Sequence, residues 1–146
     1  MATVLSPVEH KVVLDGVSWE TYQRLLHEHL EECGTRFTYN EGVLEIMVLS
    51  ARHEQPNRTL AALVEATCAE LGVDFRRLGS TTFQRSGLHK GFEPDTAFYI
   101  EHAAQFRGRD VDASVDPPPD LIIEVDVTNS SLIRFPVFAA FGVPEV

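Results

Sequence analysis

The chain has 146 residues, a formal net charge of −10 from 12 basic and 22 acidic side chains, and 44% hydrophobic residues. That length supports one hydrophobic core, and the composition is that of a folded chain, not a disordered one. The acidic balance argues against a protein that grips nucleic acid by bulk electrostatics, which relies on Lys and Arg, although nucleic acid handled through a metal ion stays open.

Residues 1–8 are expected to be loosely held, and the N-terminus has no apolar stretch of the secretory kind because Glu9 arrives too early. No apolar run nears the about 18 residues needed to cross a bilayer. Cys33 and Cys68 are the only cysteines. Two cysteines so far apart make neither a disulfide framework nor a Cys-rich zinc site, so a reducing, cytoplasmic setting is expected.

In chain order, His10 to Leu14 reads as a short strand. Ser18 is an N-cap for a helix in which Trp19, Tyr22, Leu25, Leu26 and Leu30 recur at helical spacing and which Gly34 closes. Arg36 to Asn40 and Val43 to Leu49 form a hairpin around Glu41-Gly42. Within its second strand Glu45 stands among Val43, Met47 and Leu49 on an otherwise apolar face. It is either a carboxylate near a sheet edge or one that borders a site. Residues 54–71 predict a second helix with Leu60, Leu63, Val64, Thr67, Cys68 and Leu71 as its apolar stripe and Gly72 as its stop. Two short strands are expected in 73–79 and 81–86, and the segment GLHKGF reads as a loop or turn. Thr96 to Ile100 and Asp120 to Val127 are strands, with a short helix possible between residues 101 and 112 and a stiff Pro117-Pro118-Pro119 lead-in. A last helix runs from about residue 133 to Phe141, with Pro136 in its first turn and Gly142 after it.

Chemistry concentrates late in the chain. Alternation puts Asp120, Ile122, Glu124 and Asp126 on one face of their strand, with Glu124 and Asp126 about 7 Å apart along it. Buried charge of that kind must be paired, protonated or metal-bound; the other possibility is a solvated acidic face. Asp95 follows Pro94 and enters its strand with little freedom, either as a turn residue or as a site residue. If the two strands are neighbours, Asp95 and Glu124 share one surface and suit a hard cation such as Mg²⁺ or Mn²⁺. Arg134, near the start of the last helix, faces either these carboxylates, a substrate phosphate or solvent. No HExxH, Walker, GxGxxG or GxSxG pattern is present.

The order SWETYQRLL, RFTYNEGVLEIM, HE, GSTTF, EPDTAFYI, PPDLIIEVDVTNSSL and FPVFAAFGVPEV resembles the Uma2 family, within the PD-(D/E)XK restriction-endonuclease-like superfamily. The resemblance covers nearly all of the chain from His10. It implies one domain over residues 1–146 with a mixed α/β core, a mixed central sheet flanked by helices, whose C-terminal strands are missing from a truncated chain. It also implies a metal-dependent endonuclease that hydrolyses nucleic acid, DNA by expectation, with Asp95 and Glu124 on Mg²⁺ or Mn²⁺. Asp126, Glu54 and Arg134 would join them as catalytic residues. Asp126 stands where the superfamily has its lysine, and Arg134 stands where Uma2 proteins usually carry theirs. Arginine stays protonated and cannot serve as a base, although it can hold a phosphate in a bidentate fork. The alternative is a catalytically impaired nuclease fold that serves as an interaction or assembly module. A homodimer and no membrane association are expected.

Overall fold

The computed structural model describes residues 8–29 and 34–146. The expectations for residues 1–7, Leu30 and Cys33 lie outside the described residues.

The first strand, β1 (His10–Leu14), is followed by helix α1 (Trp19–Glu28). Ser18 caps that helix as its position predicts, its hydroxyl accepting from the Thr21 amide at 3.1 Å. Strands β2 (Thr35–Asn40) and β3 (Val43–Val48) form the expected hairpin. Its turn is Glu41-Gly42, and both residues have positive φ, 48° and 100°. This pair of left-handed residues matches the twist of two flanking strands. Helix α2 (Ala51–Leu71) starts earlier than expected and carries Pro56 in its second turn, where the ring removes one backbone hydrogen bond of the helix. Then come β4 (Arg76–Arg77), β5 (Phe83–Arg85), β6 (Lys90–Phe92), β7 (Thr96–Tyr99), β8 (Leu121–Ile123) and α3 (Phe135–Phe141), the last preceded by a 3₁₀ turn over Leu132–Arg134.

The fold is α+β and consistent with a restriction-endonuclease-like core. Its strands divide into a five-stranded sheet of order β1-β3-β2-β6-β5 and a three-stranded sheet of order β4-β7-β8. All strand pairs are antiparallel; among the described residues the one parallel feature is a bridge from Leu121 to Glu145. Strands β7 and β8 are direct neighbours, with Thr96 opposite Ile123 and Ala97 opposite Ile122.

Among the described residues, three of the four hydrophobic clusters pack a helix against a sheet. Helix α1 places Trp19, Tyr22 and Leu26 against Phe37, Tyr39 and Leu44 of the hairpin. Helix α3 places Val137, Phe138 and Phe141 against Phe83, Phe92, Ala97 and Ile122, so it bridges the two sheets. Helix α2 covers the other face of the smaller sheet through Ala61, against Phe98 and Ile123.

Three sequence expectations change. The segment Lys90–Phe92 is a strand inside the larger sheet and not a loop, and only residues 86–89 turn. Gly91 is needed there because a Cβ on it would stand 2.2 Å from the Tyr22 hydroxyl oxygen of α1. The expected apolar stripe of α2 is buried only in part: Cys68 points inward and Val64 packs against the core, whereas Leu60, Leu63, Thr67 and Leu71 are exposed and His53, Asn57 and Ala61 complete the inward face. And β8 ends at Ile123, four residues short of Val127.

Candidate functional site

The site grows from the end of the β7–β8 ladder. Continuing the register one step beyond Thr96 and Ile123 brings Asp95 opposite Glu124. The backbone ladder stops there. In its place the Asp95 carboxylate accepts the Val125 amide through Oδ2 at 2.8 Å. The same oxygen lies 2.8 Å from Nε2 of His53, in the first turn of α2. One turn further along α2, the Asn57 amide donates to the Asp95 carbonyl at 3.4 Å and accepts the Thr96 hydroxyl at 2.9 Å. Helix α2 therefore fixes both the side chain and the backbone of Asp95.

Glu124 lies just past β8, with its side chain 3% exposed. Arg134 donates through Nη1 to its Oε2 at 2.5 Å. The other carboxylate oxygen, Oε1, is buried without a hydrogen-bond partner. Arg134 comes from the 3₁₀ turn, whose backbone is closed by the Arg134 amide donating to the Ser131 carbonyl. Its Nε stands 3.4 Å from Oε1 of Glu45 on β3, an ion-pair contact, while making no hydrogen bond itself. Lys11 on β1 approaches the other oxygen of Glu45 at 3.5 Å. A chain of alternating charge thus runs Lys11, Glu45, Arg134, Glu124, and it ties the larger sheet to the smaller one.

Two ionisations are displaced. Burial pushes the Glu124 carboxyl up to about 8; Arg134 opposes this, and the charges of Asp95 and Asp126 add to it. Burial draws the His53 imidazole down, but the hydrogen bond and charge of Asp95 and the charge of Glu9 outweigh it, so the net shift is upward. Glu9 is itself buried and accepts the Thr128 amide and hydroxyl, both at 3.1 Å.

The residues singled out from sequence fare differently. Asp95, Glu124 and Arg134 share one buried cluster. Asp126 is exposed, and its carboxylate accepts the Ser131 amide at 3.0 Å, closing the turn that carries Arg134. Glu54 faces solvent, where it accepts from Arg58 at 2.7 Å. Its neighbour His53 takes the inward place. A helical residue one position away points about 100° elsewhere, so the HE pair contributes its histidine. Lys11 and Asn57 were not singled out at all. The signal for Asn57 was its i, i+4 spacing from His53 and Ala61, which marks a second face of α2, polar at its start.

Of two cavities, only the smaller touches the site. The larger, about 620 Å³, lies between Trp19, Tyr39, Glu41 and His89, on the α1 side of the hairpin. A groove of about 400 Å³ reaches Glu124 and is otherwise mostly apolar, walled by Leu60, Leu63, Leu121 and Phe135. Among the described residues no helix is long and apolar enough to cross a membrane.

Comparison with curated proteins yields no match. The Uma2 family model, described as "Putative restriction endonuclease", matches residues 19–146. That match takes in α1, the hairpin, both strands of the carboxylate pair and the turn of Arg134, and by it the chain belongs to the Uma2 family.

Proposed function

We propose that the chain is a metal-dependent endonuclease that hydrolyses phosphodiester bonds of nucleic acid, DNA being the expected substrate. The observation that carries this reading is the partnerless Oε1 of Glu124, buried beside a second carboxylate, Asp95. Hard, oxygen-preferring ions are the natural complement of such a pair. Among the described residues no group of three or more His, Cys, Asp or Glu side chains is arranged to hold a metal. The protein's share would therefore be the two carboxylates of Asp95 and Glu124, the number with which Mg²⁺ is usually held, water filling the remaining positions. When bound, such an ion lowers the pKa of water and stabilises charge on phosphate oxygens.

The chain's own residues divide the remaining work. His53 and the Val125 amide fix the Asp95 carboxylate. Arg134 keeps its positive charge at any working pH, so it serves as an electrostatic partner for phosphate and not as a proton acceptor. The reading includes a homodimer, for which exposed Leu60, Leu63 and Phe135 offer apolar surface; sedimentation equilibrium measures it.

The test is cleavage of a supercoiled plasmid with Mn²⁺ or Mg²⁺, comparing the wild type with Asp95→Asn and Glu124→Gln. Loss of nicking in both variants, with folding retained, supports the reading. Equal nicking by all three assigns the activity to a contaminant and ends it. A second reading, a nuclease fold that serves as an interaction module, draws on one observation: Arg134 already neutralises Glu124. Metal binding by calorimetry with no cleavage of DNA or RNA would favour it.

A further inference from the structure

The buried arginine has two carboxylates within reach and makes full use of only one. Arg134 is 6% exposed and cannot shed its charge, so leaving it without a carboxylate would strand a cation in the interior. Glu124 now supplies the close contact, at 2.5 Å to Nη1. Glu45 stands 3.4 Å from Nε, and that Nε has no hydrogen bond. Lys11 holds the far oxygen of Glu45 and leaves Oε1 turned to the arginine. The backbone under Arg134 is fixed by the hydrogen bond its amide donates to the Ser131 carbonyl and by the Asp126 carboxylate closing the same turn. Only the side chain is left to adjust.

We infer that Arg134 is a resident counter-ion for Glu124, shared with Glu45 so that it can yield Glu124 to a divalent cation without losing its own partner. This rests on the metal-dependent reading above and assigns Glu45 as a positioning residue. Two cations on one buried carboxylate repel, and Arg134 has no neutral form to fall back on. Closing the gap between Nε and Glu45 Oε1 by a few tenths of an ångström would convert an ion-pair contact into a charge-assisted hydrogen bond. A lysine at this position would present one point charge, whereas the guanidinium fork spans both carboxylates at once. Arginine at position 134 thereby sets how the site is held when no ion is bound.

The experiment is Mn²⁺ titration calorimetry at fixed pH on the full chain, with the wild type, Arg134→Met, Glu45→Gln, their double variant and Glu124→Gln. Removing the competing charge should tighten Mn²⁺ binding in Arg134→Met by about tenfold, within the usual range for coupled sites. Glu45→Gln should weaken binding in the wild-type background and have no effect once Arg134 is Met, the mark of direct coupling between the two. Since Arg134→Met leaves carboxylates unpaired, a second measurement uses the wild type alone. Mg²⁺ is titrated while the NMR signals of the Arg134 Nε–H and the Val125 amide are followed. Both should move together. Movement of Val125 with Arg134 unmoved, or Mn²⁺ affinity in Arg134→Met equal to wild type, overturns the inference and leaves the metal reading standing. Heat of binding in no variant, with neither signal moving, removes the metal reading and this inference together.

Discussion

The Asp95 carboxylate takes the Val125 amide at 2.8 Å, the hydrogen bond that a longer β7 would otherwise have made with β8. A side chain thus ends the ladder, and Glu124 is the first residue past the strand. The same oxygen also meets His53, which makes the imidazole a reporter for the carboxylate. In Asp95→Asn the His53 pKa should fall below its ordinary 6.5, because the partner that raises it is gone while burial, which lowers it, remains. NMR titration of the ring protons reads this directly, and an unmoved pKa would mean that Glu9 alone sustains the shift.

Stability contributed by Glu124 and His53 should decline as the pH rises above about 4.5. Burial raises the folded-state Glu124 pKa, Arg134 opposing it, so the folded chain releases that proton at a higher pH than the unfolded chain, which releases it near 4.5. Between those values the unfolded state binds fewer protons and stability falls. His53 acts in the same direction: its raised pKa stabilises fully below 6.5, and that contribution is lost as pH climbs through the folded value. Urea midpoints measured across this range without divalent ions should show the decline, and Glu124→Gln should flatten its upper part.

Asp126→Asn should leave Mn²⁺ binding intact and cost about 1 kcal/mol, the usual value for a turn-capping carboxylate. Glu54→Gln should change stability by less than about 0.5 kcal/mol, since it removes one exposed ion pair with Arg58. Calorimetry and urea denaturation of both variants check these outcomes. Loss of Mn²⁺ binding in Asp126→Asn would return that residue to the site.

Gly91→Ala should destabilise by about 1–3 kcal/mol through overpacking, since its Cβ would meet the Tyr22 hydroxyl at 2.2 Å and the ring carbon Cζ at 2.8 Å. Adding Tyr22→Phe should restore only part of the loss, because the ring carbon remains in the way. Full recovery in the double variant would show that the hydroxyl was the whole obstacle.

Local signals were the legible ones. Ser18 as a cap and Glu41-Gly42 as a turn follow from patterns a few residues long, whereas the adjacency of Asp95 with Glu124 was legible only through alternation on both strands together with the family resemblance. What escaped depends on contacts distant in sequence. The end of β8 is set by Asp95, thirty residues earlier. The inward face of α2 is set by what it must hold. Leu60, Leu63 and Leu71 make one stripe and His53, Asn57 and Ala61 another, and periodicity alone gives no reason to prefer the polar one. Glu45 was visible as an odd carboxylate on an apolar face, but its partner Arg134 lies 89 positions on and in another layer.

The apolar groove beside Glu124 has a consequence for chemical intervention. Its walls, Leu60, Leu63, Leu121 and Phe135, carry no cation to attract a polyphosphate, yet Glu124 is among its lining residues. At about 400 Å³ it falls within the range of small-molecule pockets. A compact hydrophobic compound bearing one amine has a route to Glu124 separate from any path suited to a nucleic acid. On the metal-dependent reading proposed above, such a compound would compete with the ion and not with the nucleic acid, so raising the nucleic-acid concentration would not relieve it.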